Sequence, residues 1–282
     1  MVAYQPVILD PENPLGVYTS VYEARAIDER VRSLRRESGG AVTALLLYML
    51  ENHVIDAVVA AKRSRGLRGE AIVARTPREV LDAAGSKWSI VPYTLELKEK
   101  LASSGVRRVA FVGLPCQAQF LNQMKRFPLM ESDFSKKIHL IISLFCMGTF
   151  AVESFIDYIK RSYSVEPDNI TSIDIVDDKL LVKHDKGEIE IPIKDALYHL
   201  QHGCLTCPDY TGVFADISAG KSPRTGYTIL ITRSKYADKI VHEARDKGYI
   251  ELVKVDEATV KSIAEKSREK IMRSYKYLAR ML

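Results

Sequence analysis

The sequence is poor in cysteine and has no long apolar run. Its four cysteines among 282 residues are too few for the dense disulfide framework of small secreted domains. The longest apolar candidate, residues 41–50, falls well short of the ~20 residues that a membrane-spanning helix needs. The first residues, Met1 to Pro6, lack the basic stretch and apolar core of a signal peptide. The sequence therefore predicts a cytoplasmic protein with reduced thiols and no membrane span.

Internal repeats, low-complexity segments and a strong charge excess are also missing. The net charge is only +5, and no aromatic residues interleave with the small basic clusters at 32–36 and 62–68, so a nucleic-acid surface is disfavoured. These clusters are typical of a solvated surface, or of attraction to an anionic small molecule such as a phosphate-bearing cofactor. Apolar residues make up 46% of the chain, which is enough for the core of one large or two modest domains.

Apolar runs of strand length alternate with helical patterns up to about residue 150. Residues 54–61, 107–112 and 137–145 are nearly continuous apolar runs, as in buried parallel strands. Helical patterns lie between and around them, including one over 21–34 and one over 41–51. Strands that alternate with helices predict an α/β fold with a mostly parallel or mixed sheet and flanking helices.

The pattern changes beyond residue 150. Short strands separated by polar turns predict a small antiparallel β meander over 170–176, 180–184 and 188–193. The chain ends in a predicted C-terminal helix from about residue 257.

A break near Pro92 predicts two α/β lobes, residues 1–92 and 93–282, of which the second carries all four cysteines.

The predicted C-terminal helix has two different faces. Apolar residues from Val260 to Leu282 recur at helical spacing. This pattern predicts a helix that packs on the domain surface, or one that docks a partner subunit or a second copy of the chain. The opposite face is basic and comprises Lys261, Lys266, Arg268, Lys270 and Arg273.

The four cysteines lie at strand ends or in a loop. Cys116 lies in the segment GLPCQ, which follows the strand at 107–112, and Cys146 directly follows the strand at 137–145. Cys204 and Cys207 form a CxxC pair. Active groups of open parallel sheets gather beyond the carboxyl ends of the strands, so these four thiolates can converge on one point.

Four thiolates suit more than one kind of site. A 4Fe-4S cluster, a zinc ion and two disulfides all use four cysteines. A reducing cytosol disfavours disulfides, and zinc more often uses two close pairs than one pair and two single cysteines. A further interpretation makes Cys116 and Cys146 buried small apolar residues and leaves only the CxxC pair active. The spacing favours the cluster and leaves zinc and the buried thiols open.

Five segments together resemble one known family. Their order along the chain is that of the family, and the similarity covers about residues 15 to 235. On this basis the sequence is similar to the coenzyme F420 hydrogenase/dehydrogenase beta-subunit family. The segments are SGGAVTAL at 38–45, AGSK at 84–87, GLPCQ at 113–117, LFC at 144–146, and CLTCPDY with ADISAG at 204–210 and 215–220.

The resemblance implies an enzyme, an iron–sulfur flavoprotein that carries FAD and oxidises or reduces the deazaflavin coenzyme F420. It implies a single 4Fe-4S cluster, because the chain has no further cysteines of the ferredoxin type. It also implies work as one subunit of a hydrogenase, formate dehydrogenase or related complex. Trp88 departs from the family, in which tyrosine is commoner at that place. The implied cluster ligands are Cys116, Cys146, Cys204 and Cys207.

The resemblance assigns the segment Ser38-Gly39-Gly40 to the flavin side. No GxGxxG motif follows a strand, so a Rossmann-type flavin site is not supported. We predict that Ser38 caps the helix at 41–51 and that the glycines let the backbone approach a ligand. The free N–H groups of the first turn, with the Thr43 hydroxyl, would then bind the FAD pyrophosphate. An ordinary capped and buried helix explains the same residues.

Two other segments carry candidate cofactor contacts. Gly85 ends a predicted helix, and Ser86 and Lys87 follow it on the flavin side of the family pattern. Lys87 can pair with a flavin phosphate or with the charge of the reduced ring, which makes it the candidate catalytic residue, or it can be a solvated lysine. Next to Cys116, Pro115 fixes the chain and Gln117 can donate to a flavin carbonyl. Outside these segments, Asp209 is predicted to cap a turn.

These residues lead to three hypotheses. In the first, the protein transfers electrons between coenzyme F420 and an external one-electron partner through FAD and the cluster, because a flavin can exchange both one and two electrons. The second keeps both cofactors but reduces a different organic substrate. The third, from another class, is a zinc-stapled binding module without a redox role. The expected partners are a hydride-carrying small molecule and an electron-transfer protein or catalytic subunit, and a homo-oligomer is also compatible with the sequence.

Overall fold

The structure, a computed structural model, describes residues 9–34, 38–64, 67–85, 91–102, 105–126, 133–176 and 179–281. Its strands are β1 (Ser20–Ala26), β2 (Ala57–Arg63), β3 (Gly69–Ala74), β4 (Val109–Gly113), β5 (Ile138–Leu144), β6 (Ile170–Val176), β7 (Lys179–His184), β8 (Gly187–Pro192), β9 (Ile217–Lys221), β10 (Thr228–Thr232) and β11 (Ile250–Lys254). Its helices are α1 (Glu29–Arg32), α2 (Ala41–Glu51), α3 (Pro77–Asp82), α4 (Tyr93–Ala102), α5 (Pro115–Arg126), α6 (Asp133–Lys137), α7 (Val152–Tyr163), α8 (Ile193–Ala196), α9 (His202–Leu205), α10 (Lys235–Asp246) and α11 (Glu257–Leu278). Turns of 3₁₀ helix lie at Pro167–Asn169 and Leu197–His199.

The centre of the fold is an eight-stranded mixed sheet with the order β11-β1-β10-β9-β5-β4-β2-β3. The inner strands β2, β4, β5 and β9 pair in parallel, and the outer pairs are antiparallel. A separate antiparallel sheet has the order β6-β7-β8. The predicted mixed sheet, meander and C-terminal helix are therefore confirmed.

Strands on both sides of residue 92 join the same sheet, since β2 pairs with β4 and β1 pairs with β10. The predicted division into residues 1–92 and 93–282 stays a prediction.

Both faces of the sheet are covered, which explains the continuous apolar runs of β4 and β5. Helices α2 and α10 cover one face, where residues such as Leu45, Ala110 and Ile142 form a buried cluster. Helices α4 and α5 cover the other face with Phe111 and Leu121, and α11 packs there against β1 and β10. Burial of one such large apolar side chain contributes about 1.5–3 kcal/mol, so the sheet is held firmly between these layers.

The predicted helix over residues 21–34 is wrong in its first half. Residues 20–26 form β1, which pairs with β10 on one side and β11 on the other, and only Glu29–Arg32 is helical. The segment SVYEARA contains good helix formers, and its pairing partners lie some two hundred residues farther along the chain. Long-range pairing and the burial of Val21, Tyr22 and Ala24 override the local helix propensity.

The carboxyl ends of five strands lie at one edge of the main sheet. β1 and β9 both pair antiparallel with β10, so β1 runs in the same direction as β2, β4, β5 and β9. The meander lies across this edge: Arg63 at the end of β2 donates to the carbonyls of Ile170 and Thr171. Farther along the edge, Lys221 at the end of β9 donates to the Ile175 carbonyl at 3.0 Å.

Candidate functional site

Two of the four cysteines stand at the carboxyl ends of neighbouring parallel strands. Cys116 is the second residue of α5 and is separated from β4 by two residues, Leu114 and Pro115. Cys146 lies two residues beyond the end of β5, which pairs in parallel with β4. The strand ends bring these cysteines to the same edge, as the sequence predicts for active groups of such a sheet.

The CxxC pair is bound to the loop that carries Cys146. Cys204 lies in the short helix α9, and its Sγ is 3.4 Å from the Thr149 backbone nitrogen and 3.5 Å from the Thr149 hydroxyl. The Cys146 backbone N–H donates at 2.9 Å to the carbonyl of Tyr210, which lies three residues beyond Cys207. The two loops thus hold three of the cysteines in one place.

The electrostatics connect all four thiols. Partial burial raises the pKa of Cys116, and negative charge on Cys207 and Cys204 raises it further. Burial raises the pKa of Cys146 to about 11, with Lys270 opposing this rise and Cys204 and Cys116 adding to it. All four thiols are free, and Cys116 is the most open to solvent. Thiols in this setting ionise together only when a positive centre lies among them.

Two basic side chains of α11 reach the cysteine loops. Lys270 is 1% exposed, and its Nζ donates to the carbonyl of Cys146 at 2.6 Å and to that of Asp209 at 2.7 Å. Arg273, nearly one helical turn farther on, donates through Nη2 to the carbonyls of Met147 at 2.6 Å and Cys204 at 3.2 Å. The Nε of Arg273 is buried and has no hydrogen-bond partner among the described residues.

The basic face predicted for the last helix is therefore wrong in part. Lys261, Lys266 and Arg268 are exposed, but Lys270 is buried and Arg273 is half-buried. The sequence carried a signal for this difference, because position 270 lies on the same stripe as Ile263, Ser267, Ile271 and Ser274, all of them buried.

The chemistry of the four cysteines fits a group that is held by thiolates. No three of the Cys, His, Asp and Glu side chains in the described part of the chain stand close enough to share one metal ion. In a four-iron cluster each thiolate binds a different iron, so the sulfurs stand farther apart than around zinc. The buried Lys270 ammonium and the unpartnered Arg273 Nε suit a negatively charged group held by four thiolates.

The segment predicted to bind flavin lies at the same edge of the sheet. Gly40, with φ of 69°, and not Ser38, is the N-cap of α2, and no side chain bonds to the cap. Ser38 is exposed, whereas Thr43 in the first turn is half-buried. A Cβ on Gly39 would stand 2.8 Å from the carbonyl oxygens of Ala24 and Gly226, so close backbone packing itself requires this glycine.

The other predicted flavin contacts lie in α5 and directly after α3. The Gln117 amide is bonded within the chain: Oε1 accepts from the Leu114 N–H at 2.8 Å and Nε2 donates to the Val91 carbonyl at 2.8 Å. These bonds fix the start of α5, whose first residue is the buried Pro115. Gly85 has φ of 97° and follows α3, while Ser86, Lys87 and Trp88 lie outside the described residues. Flavin binding by these residues stays a prediction.

The predicted turn at Asp209 is confirmed. Its buried carboxylate accepts from the N–H of Gly212 at 2.7 Å and from that of Val213 at 3.1 Å. Burial raises the pKa of Asp209, while these bonds and the cations Arg233 and Lys270 lower it. The capped turn shapes the loop directly after the CxxC pair.

Comparison with known proteins gives two family models and several relatives. The model "Coenzyme F420 hydrogenase/dehydrogenase, beta subunit N-term" matches residues 21–98, and the corresponding C-terminus model matches residues 106–258. The coenzyme F420 hydrogenase subunit beta of Methanothermobacter thermautotrophicus is 30% identical over 246 residues, 86% of this chain and 87% of that protein. A more distant relative, the chloroplastic 7-hydroxymethyl chlorophyll a reductase of Oryza sativa subsp. japonica, is 29% identical over 72% of this chain and 44% of its own length.

A solved structure has the same fold. A chain of the F420-reducing [NiFe] hydrogenase complex from Methanosarcina barkeri matches with a TM-score of 0.88 and 28% identity, over 97% of this chain and 94% of that chain. Within the described ranges, none of the helices combines the length and apolarity needed to cross a membrane. The cytoplasmic location stays a prediction.

Proposed function

Because the chain belongs to the coenzyme F420 hydrogenase/dehydrogenase beta-subunit family, we propose that it is an F420-dependent oxidoreductase subunit with FAD and one 4Fe-4S cluster. In this function it transfers electrons between coenzyme F420 and a one-electron partner. The relatives named as F420 hydrogenase beta subunits and the matching chain of a hydrogenase complex support the substrate and a partner subunit.

The observation that carries the proposal is that Cys116 and Cys146 follow neighbouring parallel strands at the carboxyl edge of the sheet, where the Cys204 sulfur lies 3.4 Å from the Thr149 nitrogen in the Cys146 loop. Cys116, Cys146, Cys204 and Cys207 would each bind one iron of the cluster. The Thr149 N–H, 3.4 Å from the Cys204 sulfur, would donate to that thiolate. Hydrogen bonds to ligand sulfurs shift the reduction potential of such clusters, so Thr149 belongs to the proposed site.

The flavin side of the proposal rests on the start of α2. The first helical backbone bond of α2 runs from Ala44 N–H to the Gly40 carbonyl, so the N–H groups of residues 41–43 have no partner within the helix. Such N–H groups favour an anion, here the FAD pyrophosphate. When bound, FAD exchanges electron pairs with F420 and single electrons with the cluster. The chain's own part is to hold both cofactors at one edge.

The test is a measurement of cofactors and turnover. The protein, purified without oxygen, is expected to contain about four irons per chain and bound FAD, and to oxidise reduced F420 with an artificial one-electron acceptor. NADH and NADPH serve as matched donors that should give little turnover. One zinc per chain without flavin would establish the zinc-stapled binding module instead.

A second substrate class has one specific observation in its favour. The chain is similar to a reductase named for a chlorophyll derivative, and that protein shares the family but has a different substrate in its name. A protein that contains both cofactors but does not turn over F420 would favour reduction of another organic substrate.

A further inference from the structure

We propose that α11 sets the reduction potential of the cluster through two positioning residues, Lys270 and Arg273. This inference rests on the proposed function, because it requires the cluster at the four cysteines. It adds a part of the molecule that the family models do not include, since the matched C-terminal region ends at residue 258 and both cations lie beyond it.

The first argument is the position of the two cations. Lys270 bridges the Cys146 loop and the loop after the CxxC pair through two carbonyl oxygens, at 2.6 and 2.7 Å. Arg273 bridges Met147 and Cys204 in the same way. Both cations therefore contact backbone carbonyls of the two cysteine loops, including those of Cys146 and Cys204 themselves.

The second argument is the unbalanced charge. Removing an ammonium or guanidinium group from water costs several kcal/mol unless an anion or full hydrogen bonding compensates. Within the described residues, Lys270 bonds only to carbonyls. The buried carboxylate of Asp209 accepts two backbone N–H groups and also attracts Arg233, so it does not balance Lys270 alone. The buried Nε of Arg273 has no acceptor in the part of the chain that the structure describes. An anionic centre at the cysteines would supply the missing partner for both.

The third argument concerns the direction of the effect. Reduction adds one electron to a centre that is already negative, and it neither forms nor breaks a bond. A fixed positive charge stabilises the reduced form more than the oxidised form, and it does so more strongly in a buried site than in water. Lys270 and Arg273 should therefore raise the potential and make the centre a better electron acceptor.

The experiment compares variants that separate charge from hydrogen bonding. Lys270→Arg keeps the charge, Lys270→Gln keeps N–H donors without charge, and Lys270→Met keeps neither. Lys266→Met is the matched control, because it removes one charge from an exposed position on the same helix. The midpoint potential is measured by EPR-monitored reduction with dithionite, and iron content and thermal midpoint are recorded for every variant.

We expect a lower midpoint potential in Lys270→Gln and Lys270→Met, and a return to near the wild-type value in Lys270→Arg. The shift should exceed that of Lys266→Met several-fold, because a charge in a partly buried site acts about four times as strongly as a charge in water at the same distance. Arg273→Gln, at a half-buried position, should also lower the potential, and it keeps the test decisive if Lys270→Met does not fold.

Two failures can be told apart. If the wild-type protein holds the cluster but the neutral variants lose thermal stability without any change in potential, the cations only fasten the loops and the inference is wrong. If the wild-type protein binds no iron, the proposed function fails first, and this inference fails with it.

Discussion

Thr149 connects the loop after Cys146 to the short helix that carries Cys204. Thr149 is buried, places its N–H and hydroxyl near the Cys204 sulfur, and through its carbonyl accepts the Gln201 N–H at 2.9 Å. Cys204 itself lies in one turn of helix, with its N–H bonded to the Gln201 carbonyl. The thiol is therefore oriented by backbone bonds before any metal binds, which is typical of a preorganised ligand.

Cys204→Ala should lose the cluster. We expect iron content to fall from about four to fewer than about one per chain, because a four-iron cluster needs all of its thiolates. Thr206→Ala is the control: this residue lies within the same CxxC segment, and its hydroxyl makes a local bond to the Gly203 carbonyl. Metal analysis after anaerobic reconstitution measures both. Full iron content in Cys204→Ala would show that Cys204 is not a ligand.

Residue-level prediction from sequence succeeds where local pattern and topology agree. Cys116 and Cys146 can be placed at one edge because each follows a buried strand, and parallel strands end together. Asp209 could be recognised as a turn residue from its type and neighbours. The burial of Lys270 could be inferred from its place on the buried stripe of α11, but its contact with the cysteine loops could not, because a lysine is usually solvated and only tertiary packing places it there.

At the scale of secondary-structure elements, the start of α2 is fixed by contacts with two strands. The Gly39 carbonyl accepts the Ala26 N–H at 2.7 Å. A Cβ added to Gly39 would meet the backbone of Gly226 and Tyr227, between β9 and β10. Backbone packing explains Gly39, and FAD binding by this segment is a separate proposal. The failed helix prediction for residues 21–26 has a related cause, since β1 owes its conformation to β10 and β11.

Gly39→Ala should destabilise the fold. The added Cβ would meet carbonyl oxygens at 2.8 Å, so we expect a loss of about 1–3 kcal/mol in the free energy of unfolding. Gly203→Ala, where a Cβ meets nothing within 4 Å, should stay within about 0.5 kcal/mol of wild type. Urea denaturation measures both. A selective loss of FAD from stably folded Gly39→Ala would instead support a direct flavin contact.

The helices α1 and α2 are joined by a pH-sensitive contact. Arg30 bonds to Asp28 at 2.5 Å and to Glu51 at 2.6 Å, and it holds the pKa of both carboxyls below the usual range. A carboxyl with a lowered folded pKa stabilises the protein above its ordinary pKa of about 4, and this stability disappears as the pH falls through the folded pKa.

Arg30→Met should therefore lower stability at pH 7 and weaken the loss of stability between about pH 5 and about pH 3. The effect should stay below about 1 kcal/mol, because the Arg30 side chain is 44% exposed and water screens the pair. Thermal midpoints across this pH range measure it. Arg32→Met, which removes a more exposed pair with Glu29, is the control and should leave the pH profile unchanged.

Over the whole molecule, segments far apart in sequence meet at the carboxyl edge of the sheet. Residues 116 and 146 arrive from strand ends, residues 204 and 207 from the loop after the meander, and α11 from the far side of β11. The fold class could be predicted from alternating strands and helices, because that pattern has few packing solutions. The joining of α11 to the cysteine loops could not, because no local pattern records contacts between residues that are 61 to 126 positions apart.

Removal of iron should weaken the packing of α11 against the cysteine loops and leave the sheet intact. Without the cluster, the metal–sulfur bonds that tie the cysteine loops together are lost and the charge of the buried Lys270 is uncompensated, so local opening becomes easier. We expect amide exchange at residues 146–150, 200–210 and 267–274 to rise by about tenfold or more after chelation, while β4 and β5 change by less than about twofold. Uniform protection before and after chelation would contradict this.

The contacts of α11 with the cysteine loops form late in the synthesis of the chain. A nascent chain exposes the thiols at 116, 146, 204 and 207 before residues 270 and 273 have been made. Until then the edge of the sheet stands open on the side that α11 later covers. The two cations of α11 can therefore reach the cysteine loops only after all four thiols have been synthesised, while Cys116 stays exposed to solvent even in the finished fold.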